Sequence, residues 1–151
     1  MRSKKITSFK YALDSYAWIE YAIGSTMGEF VKEVLELAIC FTPSIVIAEL
    51  SFKFTNEQNV EDWLKLLKFI KVKTQTVPLD ESLSNKSGEQ KFFLRKLEKK
   101  IGLSDAIIYQ TSISIGARLI SGDDHFKNIP NVIFLKNVQI IEKELQLLKK
   151  K

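Results

Sequence analysis

The sequence predicts an α/β fold built on a mostly parallel central sheet of four or five strands. Two observations carry that prediction. Short β-like runs alternate along the chain with longer stretches whose apolar residues recur at helical spacing, the pattern of strand–helix–strand units. Those stretches are also punctuated by residues that start and stop helices, among them Gly24-Ser25, Asp80 and Gly116. A length of 151 residues suits one domain with a sizeable core.

Taken in order, residues 9–14 read as the first strand, ending at Asp14-Ser15. Helical stretches follow near 16–23 and 26–38, split by Gly24-Ser25, and residues 38–41 form a second short strand. Thr42 suits an N-cap and Pro43 a first helical position, so a helix is expected to start there. Asn59 caps another helix through Phe69, with Trp63, Leu64, Leu67 and Ile70 at helical spacing. Residues 73–77 read as a third strand, and Asp80 caps a long helix that Gly102 ends. Ser104 is the expected cap of the next helix, which stops at Gly116. Residues 118–121 and 132–135 are the last strands. The stretch 139–151 reads as an amphipathic helix whose closing lysines suit the helix macrodipole. With no repeat or linker, the chain reads as a single domain, 1–151, with a core over about 9–135 and a helical extension over 136–151.

Composition narrows the function classes. The chain is 45% hydrophobic and 27% charged, ordinary globular usage. Charges interrupt every apolar run before the roughly 18 residues a membrane span requires. Met1-Arg2-Ser3-Lys4-Lys5 lacks the apolar core of a secretory signal, so a cytoplasmic protein with no membrane partner is expected. Cys40 is the lone cysteine and forms no internal disulfide; its apolar neighbours point to an inert, buried thiol. The net charge of +5 is compatible with a polyanionic partner.

Four carboxylates give that charge a meaning. In right-handed strand–helix–strand units the strand C-termini and helix N-termini gather at one sheet edge, where open α/β folds bind ligands. Asp14 ends the first strand, Asp123 follows the strand 118–121, Asp105 lies in the first turn of its helix, and Glu49 lies in a second turn. Each interrupts or adjoins an apolar run that contains no lysine or arginine. Two carboxylates held ~5 Å apart at an effective dielectric near 20 repel by roughly 3 kcal/mol. Such a group needs either strongly raised pKa values or a cation. Oxygen-only ligation suits Mg2+ or Mn2+, and the chemistry that follows is phosphodiester hydrolysis. Each acid taken alone could be a turn or dipole residue; their convergence is what argues for a site.

At these positions the chain resembles the PIN-domain nucleases, and in particular the VapC toxins of toxin–antitoxin pairs. Leu13-Asp14-Ser15-Tyr16-Ala17-Trp18-Ile19 is similar to the family's opening motif, and Thr42-Pro43-Ser44-Ile45-Val46-Ile47-Ala48-Glu49-Leu50 to its second. Leu103-Ser104-Asp105-Ala106-Ile107-Ile108-Tyr109 resembles the third, and Ile120-Ser121-Gly122-Asp123-Asp124-His125-Phe126 the last. The resemblance implies a three-layer α/β/α sandwich, and RNA cleavage dependent on Mg2+ or Mn2+ held by Asp14, Glu49, Asp105 and Asp123. It also implies a homodimer and a cognate antitoxin. Ser15 and Ser121 match small hydroxyl positions that orient the acids or a bound water in the family. Asp124 adds an acid at a position the family varies and is kept as a supporting candidate.

With four acids assigned to a pocket, the remaining surface is more basic than the net charge suggests. Lys86, Lys91 and Arg95, on one expected helix with Lys96, Lys99 and Lys100, are candidates for RNA phosphate contacts, set against the plainer reading of a solvated helix face. Tyr16, Trp18 and Tyr21 could stack on bases, although their spacing argues for core packing. His125 reads as a loop residue rather than an acid–base catalyst. Two other readings remain open: another Mg2+-dependent phosphohydrolase, and a catalytically silent RNA- or protein-binding module on the same fold.

Overall fold

The computed structural model of the chain describes residues 6–150; the basic N-terminal pentapeptide and Lys151 lie outside them. Among the described residues five strands and seven α-helices follow in order: β1 Ile6–Leu13, α1 Ser15–Ile23, α2 Thr26–Leu37, β2 Ala38–Pro43, α3 Ser44–Asn56, α4 Val60–Lys73, β3 Gln75–Val77, α5 Glu81–Leu94, α6 Leu103–Ser114, β4 Arg118–Ser121, β5 Val132–Phe134 and α7 Val138–Lys149. The strands form one sheet in the order β3-β2-β1-β4-β5, and every pairing is parallel.

Topology fixes the layers and the site together. The connections β1→β2 and β2→β3 step the same way across the sheet, so right-handed crossovers put α1–α4 on one face. The connection from β3 to β4 reverses direction, and α5 and α6 cover the opposite face, where α6 touches β1 and β4. α7 packs on β5 and α2, returning to the first face. The result is an α/β/α sandwich. The reversal falls between β1 and β4, the switch point beside whose strand C-termini such sheets bind ligands.

The core has the continuous apolar runs of a parallel sheet covered on both faces. Tyr11, Ala12 and Leu13 of β1 and Leu119 and Ile120 of β4 are fully buried. Trp18 of α1 is buried as well, edge-on to Tyr21 and Phe69; Tyr21 stacks on Phe69 at 5.0 Å. Cys40 is buried with its sulfur against the Val34 and Ala38 carbonyls. No helix among the described residues is long and apolar enough to cross a membrane.

Four sequence expectations change. Thr42 does not cap α3 but stays in β2. Its hydroxyl is engaged elsewhere, accepting from Trp18 Nε1 at 3.2 Å and pairing with Thr74 Oγ1 at 2.8 Å. Asn59 sits at the N-cap of α4 without capping it, donating instead to Asp62; within that helix Leu64 is exposed and Leu66 takes the core position. The long helix begins after Asp80 as expected but ends at Leu94, not near Gly102. Beyond it Arg95/Lys99 and Lys96/Lys100 would stand as like charges one helical turn apart, and the turns formed instead let Ile101 reach the core. Finally α6 starts at Leu103, with Gly102 as its N-cap: the Asp105 carboxylate reaches back to accept from the Gly102 N–H at 3.1 Å.

Candidate metal centre

Each of the four acids is held at the sheet edge by local geometry. Asp14 follows β1 and caps α1, its Oδ1 accepting from Ala17 N at 2.9 Å. Its own N–H donates to the Ile120 carbonyl at 3.4 Å, which carries the β1–β4 pairing one step past the strand. Glu49 lies on α3, where its Oε1 accepts from Ser15 Oγ at 2.6 Å. Asp105 lies in the first turn of α6. Asp123 follows β4, with its N–H donating to Ser121 Oγ at 3.0 Å and its Oδ1 capping the short 3-10 turn Asp124–Phe126.

Electrostatics reports how close these groups are. Burial pushes Asp14 up to about 7 from an ordinary 3.8; hydrogen bonds from Ser121 and the Ala17 N–H oppose the shift, and the charges of Asp123 and Glu49 add to it. Glu49 is also raised, by burial first and then by Asp105 and Asp123, against the hydrogen bond from Ser15. The charges acting on these two buried-side acids are therefore all carboxylates, linking the four in one cluster. Asp14 is the deepest member, with 4% of its surface exposed.

Lys136 stands at the rim of the cleft over this edge. Lys136 pairs with Asp124 at 2.9 Å and lies 5.5 Å from the centre of the Tyr16 ring. That ion pair lowers Asp124 and raises Lys136. Asp124 is thus turned outward, away from the four. Ser15 donates to Glu49, and the Ser121 hydroxyl lies between Asp14 and the Asp123 N–H.

His125, which the sequence reads as a loop residue, lies against two of the acids. Its Nδ1 lies 3.0 Å from Asp105 Oδ2 and 3.6 Å from Asp123 Oδ1. The hydrogen bond with Asp105 raises its pKa, burial opposes, and the charges of Asp123, Asp105 and Glu98 add to the rise. A signal was available: an Asp-x-His sequence in a tight turn carries its first and third side chains back toward one another.

Donor chemistry decides whether a divalent ion fits. Asp105, Asp123 and His125 each offer an atom within 4.8 Å of the others. Trans ligands at about 2.1 Å from an ion lie about 4.2 Å apart, so a small adjustment closes the three around one ion; Asp14 and Glu49 are not in that group and are tied to it through their charges. The residues fit such a group. Tyr16, Glu98, Lys100, Asp123, Asp124, His125 and Lys136 line a cleft of about 460 Å³ over this edge.

Of the basic candidates, Lys91 and Arg95 line a separate hollow of about 570 Å³ with Phe92, Lys96 and Lys99. Lys86 is exposed on α5 and is not part of that lining. Lys100 alone of the predicted basic cluster reaches the acidic cleft.

Comparison with known proteins supplies a family. The chain is similar in fold to VapBC2 of Rickettsia felis bound to promoter DNA, with a TM-score of 0.68 and 20% identity over 83% of this chain and 97% of that one. It is similar also to a Klebsiella pneumoniae toxin–antitoxin complex, with a TM-score of 0.63 and 18% identity over 85% of this chain and 99% of the other. A third is Mycobacterium tuberculosis VapC20, a toxin that cleaves the sarcin–ricin loop, at a TM-score of 0.64 and 13% identity over 80% and 95% of the two chains. Comparison with curated proteins finds no match. The family model for the PIN domain matches residues 11–132, which takes in all four acids and both serines, and the chain belongs to the PIN-domain family.

Proposed function

We propose that the chain is a metal-dependent endoribonuclease that hydrolyses RNA phosphodiester bonds as the toxin of a VapBC-type pair. The observation that carries this reading is the cluster itself: Asp105, Asp123 and His125 offer ligand atoms within 4.8 Å of one another, and the charges that raise Asp14 and Glu49 are all carboxylates of the same edge. Buried carboxylates such as Asp14 and Glu49, shifted upward by their neighbours, are costly to ionise unless a cation joins them.

In this reading Asp14, Glu49, Asp105 and Asp123 hold Mg2+ or Mn2+. When bound, such an ion supplies Lewis acidity toward a phosphate and toward water. Ser15 orients Glu49 through its 2.6 Å hydrogen bond. Ser121 joins Asp14 to the Asp123 backbone and so keeps the two acids in register. Lys136 and Lys100 at the cleft, then Lys91 and Arg95 on α5, offer cations to a polyanionic strand; Lys86 is a more distant contact. Asp124 supports the rim by holding Lys136.

The partners follow from the resemblance and from uncovered apolar surface. Ile23, Phe52, Leu64 and Val72 on α1, α3 and α4, and Phe92, Phe93 and Leu97 on and after α5, are all more than half exposed. Covering such side chains is what a homodimer contact and a bound antitoxin accomplish. A cytoplasmic setting fits an RNA substrate.

The test is cleavage of structured RNAs by purified protein with Mg2+ or Mn2+ and then with EDTA, beside Asp14→Asn. Cleavage in the ion, abolished by EDTA and by the substitution, supports the reading. Ion-independent cleavage, or none on any RNA, rejects it.

A further inference from the structure

The turn that carries His125 is anchored so that its ring has little choice of direction. Phe126 is buried and stacks on Tyr109, with ring centres 6.5 Å apart. Tyr109 lies four residues beyond Asp105 on α6, so the turn is fastened to the helix that supplies Asp105. On the turn's other side the His125 N–H donates to Asp123 Oδ1 at 2.8 Å. Asp124 points outward to Lys136, and His125 points inward. The imidazole is thereby set between two of the proposed ligands by packing and by a cap.

We propose that His125 is a nitrogen ligand of the metal centre, joining Asp105 and Asp123, and that it biases this site toward Mn2+ over Mg2+. The proposal rests on the metal-binding reading above and departs from the oxygen-only site that the sequence suggested. Magnesium favours hard oxygen donors, whereas imidazole binds Mn2+ and later first-row ions more readily. In the hydrogen bond with Asp105 the Nδ1–H donates to the carboxylate; for Nδ1 to serve as a ligand that proton would be released to solvent, with the neutral ring keeping its proton on Nε2. The competing role for the same contact is a hydrogen bond that merely steadies Asp105, with no nitrogen on the ion.

One property of the chain makes the two separable. It contains a single histidine, so any imidazole nitrogen coupled to a bound ion in untagged protein belongs to His125. The experiment is electron spin-echo modulation on Mn2+-loaded protein, with Mn2+ and Mg2+ affinities by titration, for the unaltered chain and for His125→Asp. The ring is part exposed, and the Asp variant restores an all-oxygen set, so the variant is expected to fold and still bind ions. The expected result is a 14N modulation of imidazole type that vanishes in His125→Asp, with the Mn2+/Mg2+ affinity ratio falling at least about tenfold. Mn2+ binding without that modulation overturns the proposal and leaves the metal centre standing. Persistence of the modulation in His125→Asp overturns it too. Failure of Mn2+ to bind the unaltered protein overturns both this proposal and the metal reading beneath it.

Discussion

Glu144 of α7 and Arg118 of β4 meet in a two-point ion pair, with Arg118 Nη1 donating to Glu144 Oε1 at 3.0 Å and Nη2 to Oε2. Tyr11 of β1 donates its hydroxyl to the same carboxylate, and the Arg118 guanidinium lies 5.3 Å from the centre of the Tyr11 ring. Burial and the neighbouring Glu144 carboxylate hold the Tyr11 hydroxyl protonated well above its ordinary range. These contacts fasten the C-terminal helix to the sheet, away from the acidic edge.

Removing Glu144 strands two partners at once. Tyr11 is fully buried and loses its acceptor, while Arg118, about a third exposed, can rehydrate in part. Glu144→Ala is therefore expected to cost about 3 kcal/mol of stability in urea unfolding, with metal affinity unchanged in the folded protein. A cost below about 1 kcal/mol would show the helix to be held by apolar packing alone.

Gly122 is a second tight point, this time inside the site. A Cβ there would stand 2.2 Å from Cε1 of Tyr16, so any side chain must displace that ring or the backbone between Ser121 and Asp123. Gly122→Ala is expected to destabilise by about 1–3 kcal/mol and to weaken metal binding by moving Asp123. Adding Tyr16→Ala should recover part of both losses, because the clash is pairwise. Equal losses in the single and double variants, measured by unfolding and Mn2+ titration, would place the strain elsewhere.

How far the sequence alone reached depends on the kind of signal. The strand Arg118–Ser121 is bounded by Gly116-Ala117 and Gly122, and its limits were legible to the residue. The edge location of Asp14, Glu49, Asp105 and Asp123 was legible because it depends on chain direction within strand–helix units, not on side-chain packing. The end of α5 was not, because no glycine or proline marks Leu94 and the turns that follow deliver Ile101 to the core, a tertiary requirement. Thr42 misled for a related reason: its capping ability was already committed to Trp18 and Thr74, partners 24 and 32 residues away. His125 was read only as a loop residue because the Asp-x-His turn brings it toward Asp123, whereas its approach to Asp105 depends on Phe126 packing against Tyr109, a tertiary contact.

Ser15 offers a test of how the buried acids are tuned. Its hydroxyl holds Glu49 below the value that burial and the neighbouring acids would otherwise impose. Ser15→Ala removes that restraint, so Glu49 retains its proton to higher pH and competes longer with a metal ion. The half-point of Mn2+ binding on a pH titration should move upward, with affinity at neutral pH falling roughly tenfold. A downward move, or none, would mean that the 2.6 Å contact does not govern Glu49.

Asp14 gives the sharpest pH dependence. Its folded pKa, about 7, lies above the ordinary 3.8, so between those values the folded chain binds more protons than the unfolded one. Without metal, stability contributed by protonated Asp14 is fully present below about pH 4, declines as pH rises toward 7, and is lost above it. The difference across that window is on the order of 4 kcal/mol. Glu49 and His125 are also raised and slope the same way, so the total curve does not isolate Asp14; the contrast with Asp14→Asn does. That variant should be more stable than the unaltered chain at pH 8 and show a much flatter profile, in urea unfolding with EDTA. Saturating Mn2+ at pH 8 should reverse the ranking, since the ion stabilises only the chain that retains its ligand. An Asp14→Asn profile as steep as that of the unaltered chain would remove Asp14 from the centre of the electrostatic argument.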